Sequence, residues 1–179
     1  MHPSRFFHHC PRCGLKQAPP EGKAPFQCTA CGFRYYFNAG SAVATFVTRA
    51  DGRWLFIRRA RDPGQGKLAP PGGFVDLGET AENAVRRELR EEVGIELEQV
   101  EFLCSHPNAY LYGGITYPTL DLFFTATLAD GSSPQALDEV TSVGWHDAAQ
   151  IHTEDLAFDS MRAAWERLMR RPGSGGFPS

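Results

Sequence analysis

The hydrophobic pattern changes character near residue 39. Residues 1–38 show neither the period of an amphipathic helix nor the alternation of a strand, and carry the proline-containing spacer QAPPEGKAPFQ. From Ala39 the texture is regular. SAVATFV and WLFIRRA read as strands around the turn RADGR. The long loop RDPGQGKLAPPGG leads into a helix opened by Thr80 with Asn83 and closed by Gly94. Strand-like runs follow near 100–105, 117–128 and 140–146, and a final helix is expected in EDLAFDSMRAAWERLMRR, ending before Pro172. Mixed strands with two helices predict a layered α/β domain over residues 39–171. The remaining PGSGGFPS, residues 172–179, reads as a disordered tail.

The irregular first segment gains meaning from its cysteines. Four of the five in the chain form two pairs, Cys10-x2-Cys13 and Cys28-x2-Cys31, with 14 residues between them. That spacing predicts a four-thiolate structural zinc site, and two reduced dithiols without metal are the alternative. Gly14 and Gly32 follow the pairs, where a tight turn aims N–H groups at sulfur. Residues 1–38 cannot bury a sufficient core, so zinc would supply the folding energy of a small zinc ribbon. His8 and His9 abut Cys10, but a complete thiolate set makes them unnecessary as ligands. Cys104 lies in an apolar stretch and reads as a small buried residue.

Composition narrows the partners. The 179 residues are 42% hydrophobic with a net charge of −3, so no global field draws the chain to nucleic acid or anionic membrane. The ribbon carries Arg5, Arg12, Lys16, Lys23 and Arg34 against Glu21, a local +4 that a zinc tetrathiolate (−2) reduces to +2. That is a weak nucleic-acid footprint. No apolar run approaches the ~20 residues of a membrane span. MHPSRFFHHC lacks a secretory layout, so a cytoplasmic location is expected.

The stretch RRELREEVGI crowds Glu88, Glu91 and Glu92 into one ~100° arc of the predicted helix. Two carboxylates ~5 Å apart repel by roughly 3 kcal/mol at an effective dielectric of ~20. The arc borders the packed face, set by Ala81, Ala84 and Val85, rather than facing water. Clustered oxygen ligands of this kind suit Mg²⁺ or Mn²⁺. Residues 73–95, GFVDLGETAENAVRRELREEVGI, match G-x5-E-x7-R-E-U-x-E-E-x-G-U at every specified position: Gly73, Glu79, Arg87, Glu88, Leu89, Glu91, Glu92, Gly94 and Ile95. The chain thus resembles the Nudix hydrolases, and the cysteine ribbon resembles their NADH-pyrophosphatase-like branch.

That resemblance implies a Nudix α/β/α sandwich with a mixed sheet. Glu88, Glu91 and Glu92 would hold catalytic Mg²⁺ or Mn²⁺, with backbone oxygen from the Gly72–Gly73 region. Arg87 would orient these carboxylates, and Glu79 would brace the loop–helix–loop. Family members often add a later acidic residue as base or extra ligand. Here ALDEVTSVGW offers Asp138 and Glu139, of which Glu139 is favoured over the alternative of a solvated turn. The implied reaction splits a nucleoside diphosphate linked to another group and releases a nucleoside monophosphate. A homodimer is implied as well.

Substrate choice rests on the segment after the box. NADH pyrophosphatases carry Ser-Gln-Pro-Trp-Pro-Phe-Pro there, whereas this chain reads SHPNAYLYGGITYP. Ser105 and Pro107 remain, His106 and Asn108 depart, and NADH preference is weakened. Tyr110, Tyr112 and Tyr117 suit stacking on a base or simple packing between strands. Ser105, His106, Tyr110 and Tyr112 are the candidate substrate contacts. LAFDSM is similar to zinc-ribbon Nudix enzymes that accept FAD or ADP-ribose. The expected substrates are ADP-ribose, a dinucleotide such as NADH or FAD, or an NDP-sugar. One alternative is a nucleic-acid-binding or nucleotide-sensing regulator built on the ribbon. Another is the clearance of oxidised nucleoside triphosphates. The intact box favours catalysis.

Overall fold

The computed structural model describes residues 1–22, 24–97, 99–128 and 133–171; the tail expected at 172–179 lies outside the described residues. The chain divides into two compact units. One comprises Met1–Gly40 with Ala109–Thr119, the other Ser41–Asn108 with the residues from Leu120 on.

The first unit is built on two turns of the same design. Cys10 N–H donates to Leu15 C=O and Gly14 N–H to Cys10 C=O; Cys28 N–H donates to Phe33 C=O and Gly32 N–H to Cys28 C=O. Gly14 (φ 75°) and Gly32 (φ 71°) adopt the left-handed conformation that closes each turn without a Cβ penalty. The second turn joins strands β1 (Phe26–Gln27) and β2 (Arg34–Tyr35), which pair antiparallel with Phe26 opposite Tyr35. The apolar centre is small: Phe26, Cys10 and Cys28 are buried, with Phe7, Phe33 and Phe37 around them.

The second unit owes its shape to a divided sheet. Strands β3 (Gly40–Arg49) and β4 (Trp54–Arg59) pair at Val47–Leu55 and Thr48–Trp54, beside the turn that joins them. Further along, β5 (Leu68–Ala69) takes the edge of β4 through Ile57–Ala69 and Arg58–Leu68. The freed edge of β3 accepts the next segment instead: Val43 N–H donates to Gly73 C=O, Thr45 N–H to Pro71 C=O, and Val75 N–H to Ser41 C=O. A glycine loop is thereby wedged into the opening between two strands. Strands β6 (Glu101–Tyr112) and β7 (Ile115–Leu128) extend the sheet beyond β3 in the order β5-β4-β3-β7-β6, and β8 (Val140–His146) lines the other edge of β4.

Helix α1 (Ala81–Val93) has the ends its sequence announces. Thr80 Oγ1 accepts the Asn83 N–H at 3.2 Å, and Gly94 terminates the helix at φ 67° with its N–H on Arg90 C=O. Helix α2 (Asp159–Met169) is shorter than its periodicity predicts. Leu156 bridges to Leu68 in parallel, and Ala157 N–H donates to Leu68 C=O at 2.9 Å. Backbone committed to a strand edge cannot also close helical turns, so the helix starts at Asp159. Phe46, Leu55, Phe56, Ile57, Val85, Leu89, Val93 and Phe123 form the heart of the core.

Candidate active site and metal centre

Two glycines bring the wedged loop against α1. A Cβ on Gly72 would lie 2.1 Å from Val43 O, so that position admits no side chain, and a Cβ on Gly73 would push the Glu88 carboxylate out of its place. The Gly72 N–H donates to Glu92 Oε2 at 2.8 Å. Glu92 is buried, Glu88 half-buried and Glu91 exposed, which grades the three carboxylates from core to solvent.

Arg87 organises the helix face. Its Nε donates to Glu79 Oε1 at 3.1 Å and its terminal nitrogens to Glu79 Oε2 (3.0 Å), Glu88 Oε1 (2.8 Å), Glu91 Oε2 (3.2 Å) and Phe74 O (2.9 Å). All five donors of the guanidinium are spent. The Glu79 carboxyl is held below its usual range, first by these Arg87 bonds. Burial pushes Glu88 up, against the pull of Arg87. Burial also raises Glu92 to about 8, with the Gly72 N–H opposing and the Glu88 charge adding to the rise. Metal-free, Glu92 therefore retains its proton at neutral pH. Carboxylate oxygens grouped in this way fit a hard divalent cation such as Mg²⁺ or Mn²⁺.

Glu139 stands at the entrance to β8. The segment before it covers the carbonyl end of α1: Gln135, Leu137 and Asp138 N–H donate to the C=O groups of Val93, Glu92 and Glu91. Glu139 takes a left-handed conformation (φ 56°), its C=O accepts the Ala60 N–H, and its carboxylate pairs with Arg61. Its charge and that of Arg59 both act on Glu92. On β6, Ser105 is exposed and its neighbour His106 half-buried, edge-on to Phe123 at 6.5 Å, so the two point to opposite faces. Tyr110 is half-buried and Tyr112 exposed in the first unit.

Sequence reasoning passed over two groups. One is a buried network in which Asp121 Oδ2 accepts from Ser160 Oγ (2.6 Å) and Asn108 Nδ2 (2.9 Å). Asp121 sits between apolar neighbours in β7, and that polar interruption was the available signal. The other is the arginine pair Arg59 and Arg61: Arg61 pairs with Glu139 just before β8, and Arg59 donates to Pro63 O and lies over the ring of Phe158, just before α2.

In the first unit the four sulfurs all lie within 4.8 Å of one another, with Cys10–Cys31 at 3.7 Å and Cys13–Cys28 at 3.6 Å. Zn–S bonds of about 2.3 Å require sulfur–sulfur edges near 3.8 Å in a tetrahedron, so the quartet fits zinc. Proton distribution points the same way. The Cys31 N–H lowers the Cys28 thiol to about 6. At Cys13 the Leu15 N–H pulls down, but the neighbouring sulfurs outweigh it and raise the thiol to about 12. Four thiolates cannot ionise together without a cation among them.

A divided mixed sheet, a glycine loop and a carboxylate helix clamped by one arginine define an α/β domain with one acidic face. The NUDIX domain model matches residues 39–166, and the chain belongs to that family. It is 31% identical over 160 residues to the NAD-capped RNA hydrolase NudC of Deinococcus radiodurans, covering 88% of this chain and 55% of that protein. Against NudC of Pseudomonas aeruginosa (strain LESB58) it is 30% identical over 144 residues, covering 79% and 48%. The chain thus spans about half the length of these curated relatives. Among solved structures, a MutT NUDIX hydrolase from Burkholderia pseudomallei aligns with TM-score 0.63 and 29% identity over 73% of this chain and 98% of that one. A NUDIX hydrolase from Nitrosomonas europaea aligns with TM-score 0.66 over 90% and 89% at 24% identity, a likeness of fold. Among the described residues no helix is long and apolar enough to cross a membrane.

Proposed function

We propose that this protein hydrolyses the diphosphate of a nucleoside diphosphate linked to a second group, releasing a nucleoside monophosphate. The observation that carries the reading is the intact carboxylate face of α1, clamped by Arg87 and closed by the Gly72–Gly73 loop, in a member of the NUDIX family. Glu88, Glu91 and Glu92 hold Mg²⁺ or Mn²⁺, which when bound neutralises phosphate charge and activates water. Arg87 fixes the rotamers of Glu88 and Glu91, and Glu79 fixes Arg87. Glu139, paired to Arg61 beside this face, is the general base or an added ligand. On β6, Ser105 and His106 offer opposite faces, and the one that meets the substrate contacts its remainder, with ADP-ribose, a dinucleotide or an NDP-sugar as the substrate class. Cys10, Cys13, Cys28 and Cys31 hold a structural zinc that folds the ribbon of residues 1–38, while residues 39–171 carry the reaction. A homodimer working in the cytoplasm completes the reading.

The test is a screen of the purified protein with Mg²⁺ or Mn²⁺ against ADP-ribose, NADH, FAD, NDP-sugars, NAD-capped RNA and nucleoside triphosphates, with products separated by chromatography. A nucleoside monophosphate from at least one diphosphate-linked compound is the expected result. Turnover confined to nucleoside triphosphates, with pyrophosphate released, would sink the proposal.

A further inference from the structure

A diphosphate needs cationic donors beyond its metal ions, and the neighbouring cations spend terminal nitrogens on protein acceptors. Arg87 has spent every N–H. Arg61 is paired with Glu139, Arg58 donates to Gly66 O, and Lys67 donates to Glu154 O. Arg59 differs. Its Nε donates to Pro63 O at 2.8 Å, and its guanidinium carbon lies 5.2 Å from the centre of the Phe158 ring. The four N–H groups of its terminal nitrogens meet no acceptor among the described residues.

Its place in the fold is equally defined. Arg59 ends β4 in register with Val140 of β8, so it adjoins Glu139, whose C=O accepts the N–H of the next residue, Ala60. The loop that supplies Pro63 O is itself seated: a Cβ on Gly64 would lie 3.1 Å from the Ala157 Cβ, one residue before Phe158. Carbonyl, ring and strand therefore hold a half-buried guanidinium whose outer fork is open. Pre-ordering of this kind lowers the entropic cost of gripping a ligand, and the planar fork matches paired phosphate oxygens. The Arg59 charge already reaches the Glu92 carboxylate.

We propose that Arg59 is a substrate-binding residue that grips, through its two terminal nitrogens, the phosphate of a nucleoside diphosphate not held by the metal ions, with Phe158 and Pro63 O as its supports. This assignment rests on the diphosphate reading above and names the protein group that recognises that ligand.

The experiment uses the full chain with Mg²⁺ and a non-hydrolysable probe, α,β-methylene-ADP, set against AMP, in calorimetric titrations. Losing a charge-assisted fork should weaken the probe ten- to hundredfold in Arg59→Gln. AMP affinity should change by less than about threefold. Phe158→Leu, which keeps the charge but removes the ring, should cost the probe about threefold. Should Arg59→Gln melt early, Arg59→Lys decides: it retains charge without the fork, and about threefold to tenfold weaker probe binding is expected. Probe affinity equal to wild type in a folded Arg59 variant, or an equal loss for AMP, overturns the assignment. A wild type that hydrolyses no diphosphate-linked nucleoside overturns the function and this inference together. Normal wild-type turnover with an unaffected Arg59→Gln overturns this inference alone.

Discussion

Four thiols in one unit and three carboxylates in the other each crowd like charges, yet their geometry differs. The sulfurs converge on a common centre, with opposite pairs 3.7 and 3.6 Å apart. The carboxylates turn to protein partners: Glu88 and Glu91 to Arg87, Glu92 to the Gly72 N–H. The difference follows from what surrounds each group. The apolar cluster of the ribbon buries just Phe26, Cys10 and Cys28 among the described residues, a core so small that a bound ion would have to supply its folding energy. The helix face backs onto a large apolar core, and its carboxylates are held by hydrogen bonds from protein groups. On the proposed function, zinc in the first unit would serve folding, and Mg²⁺ in the second would serve turnover.

The strongest way to break this contrast is to remove zinc. Structural zinc contributes about 10–16 kcal/mol of apparent binding free energy in small domains at neutral pH, which here would be folding free energy. Cys28→Ser, or exhaustive chelation, should leave residues 1–40 open to limited proteolysis while the second unit still unfolds cooperatively. Metal analysis should find about one zinc per chain before treatment, and mild chelation should remove Mg²⁺-dependent activity but not zinc. A ribbon that stays protease-resistant without its metal would erase the distinction.

A smaller effect sharpens the other side. Glu92 has a folded pKa of about 8 against an ordinary 4.5. In the metal-free protein the folded state keeps a proton that the unfolded chain releases, so this contribution is complete below about pH 4.5 and is lost as pH rises towards 8. A tenfold difference in proton affinity is worth about 1.4 kcal/mol, so the loss is on the order of a few kcal/mol. Glu92→Gln cannot ionise and should show no such slope. Urea unfolding from pH 4.5 to 8.5 should give diverging curves, and Mg²⁺ should restore the wild type at pH 8 but not the variant. Parallel curves would mean that burial does not govern Glu92.

Much of this contrast could be read from the chain. Cysteine spacing, the Thr80 and Gly94 helix ends and the acidic arc of α1 are local patterns, fixed by a few neighbouring residues, and each has its counterpart in the structure. What escaped reading depends on distant pairing. The split between β3 and β4, which admits the Gly72–Gly73 loop, arises because β5 takes an edge that the hairpin would otherwise fill. The same pairing, through Leu68 and Leu156, shortens α2 by committing residues its periodicity assigned to helix. Arg59 does not stand out in WLFIRRA because its supports, Pro63 O and Phe158, come from elsewhere in the chain. No local pattern announces the Asp121 network, since its partners Asn108 and Ser160 lie 13 positions before and 39 after it.

That buried carboxylate yields the smallest effect and a final check on the contrast. Asp121 Oδ2 receives two hydrogen bonds within the second unit, one from Ser160 at the start of α2 and one from Asn108 on β6. Individual protein donors hold it, as they hold Glu92, rather than a shared ion. Such an arrangement should fail gradually. A hydrogen bond to a charged group is worth about 1.5–3 kcal/mol, so Ser160→Ala should destabilise the second unit by about 2 kcal/mol. For a chain of this size that is a fall in Tm of roughly 4–8 °C. Zinc content and protease resistance of residues 1–40 should be unchanged, because the ribbon's stability rests on its thiolates. A Ser160→Ala protein that melts as wild type, or one that sheds zinc, would show that stability is not divided between the units in this way.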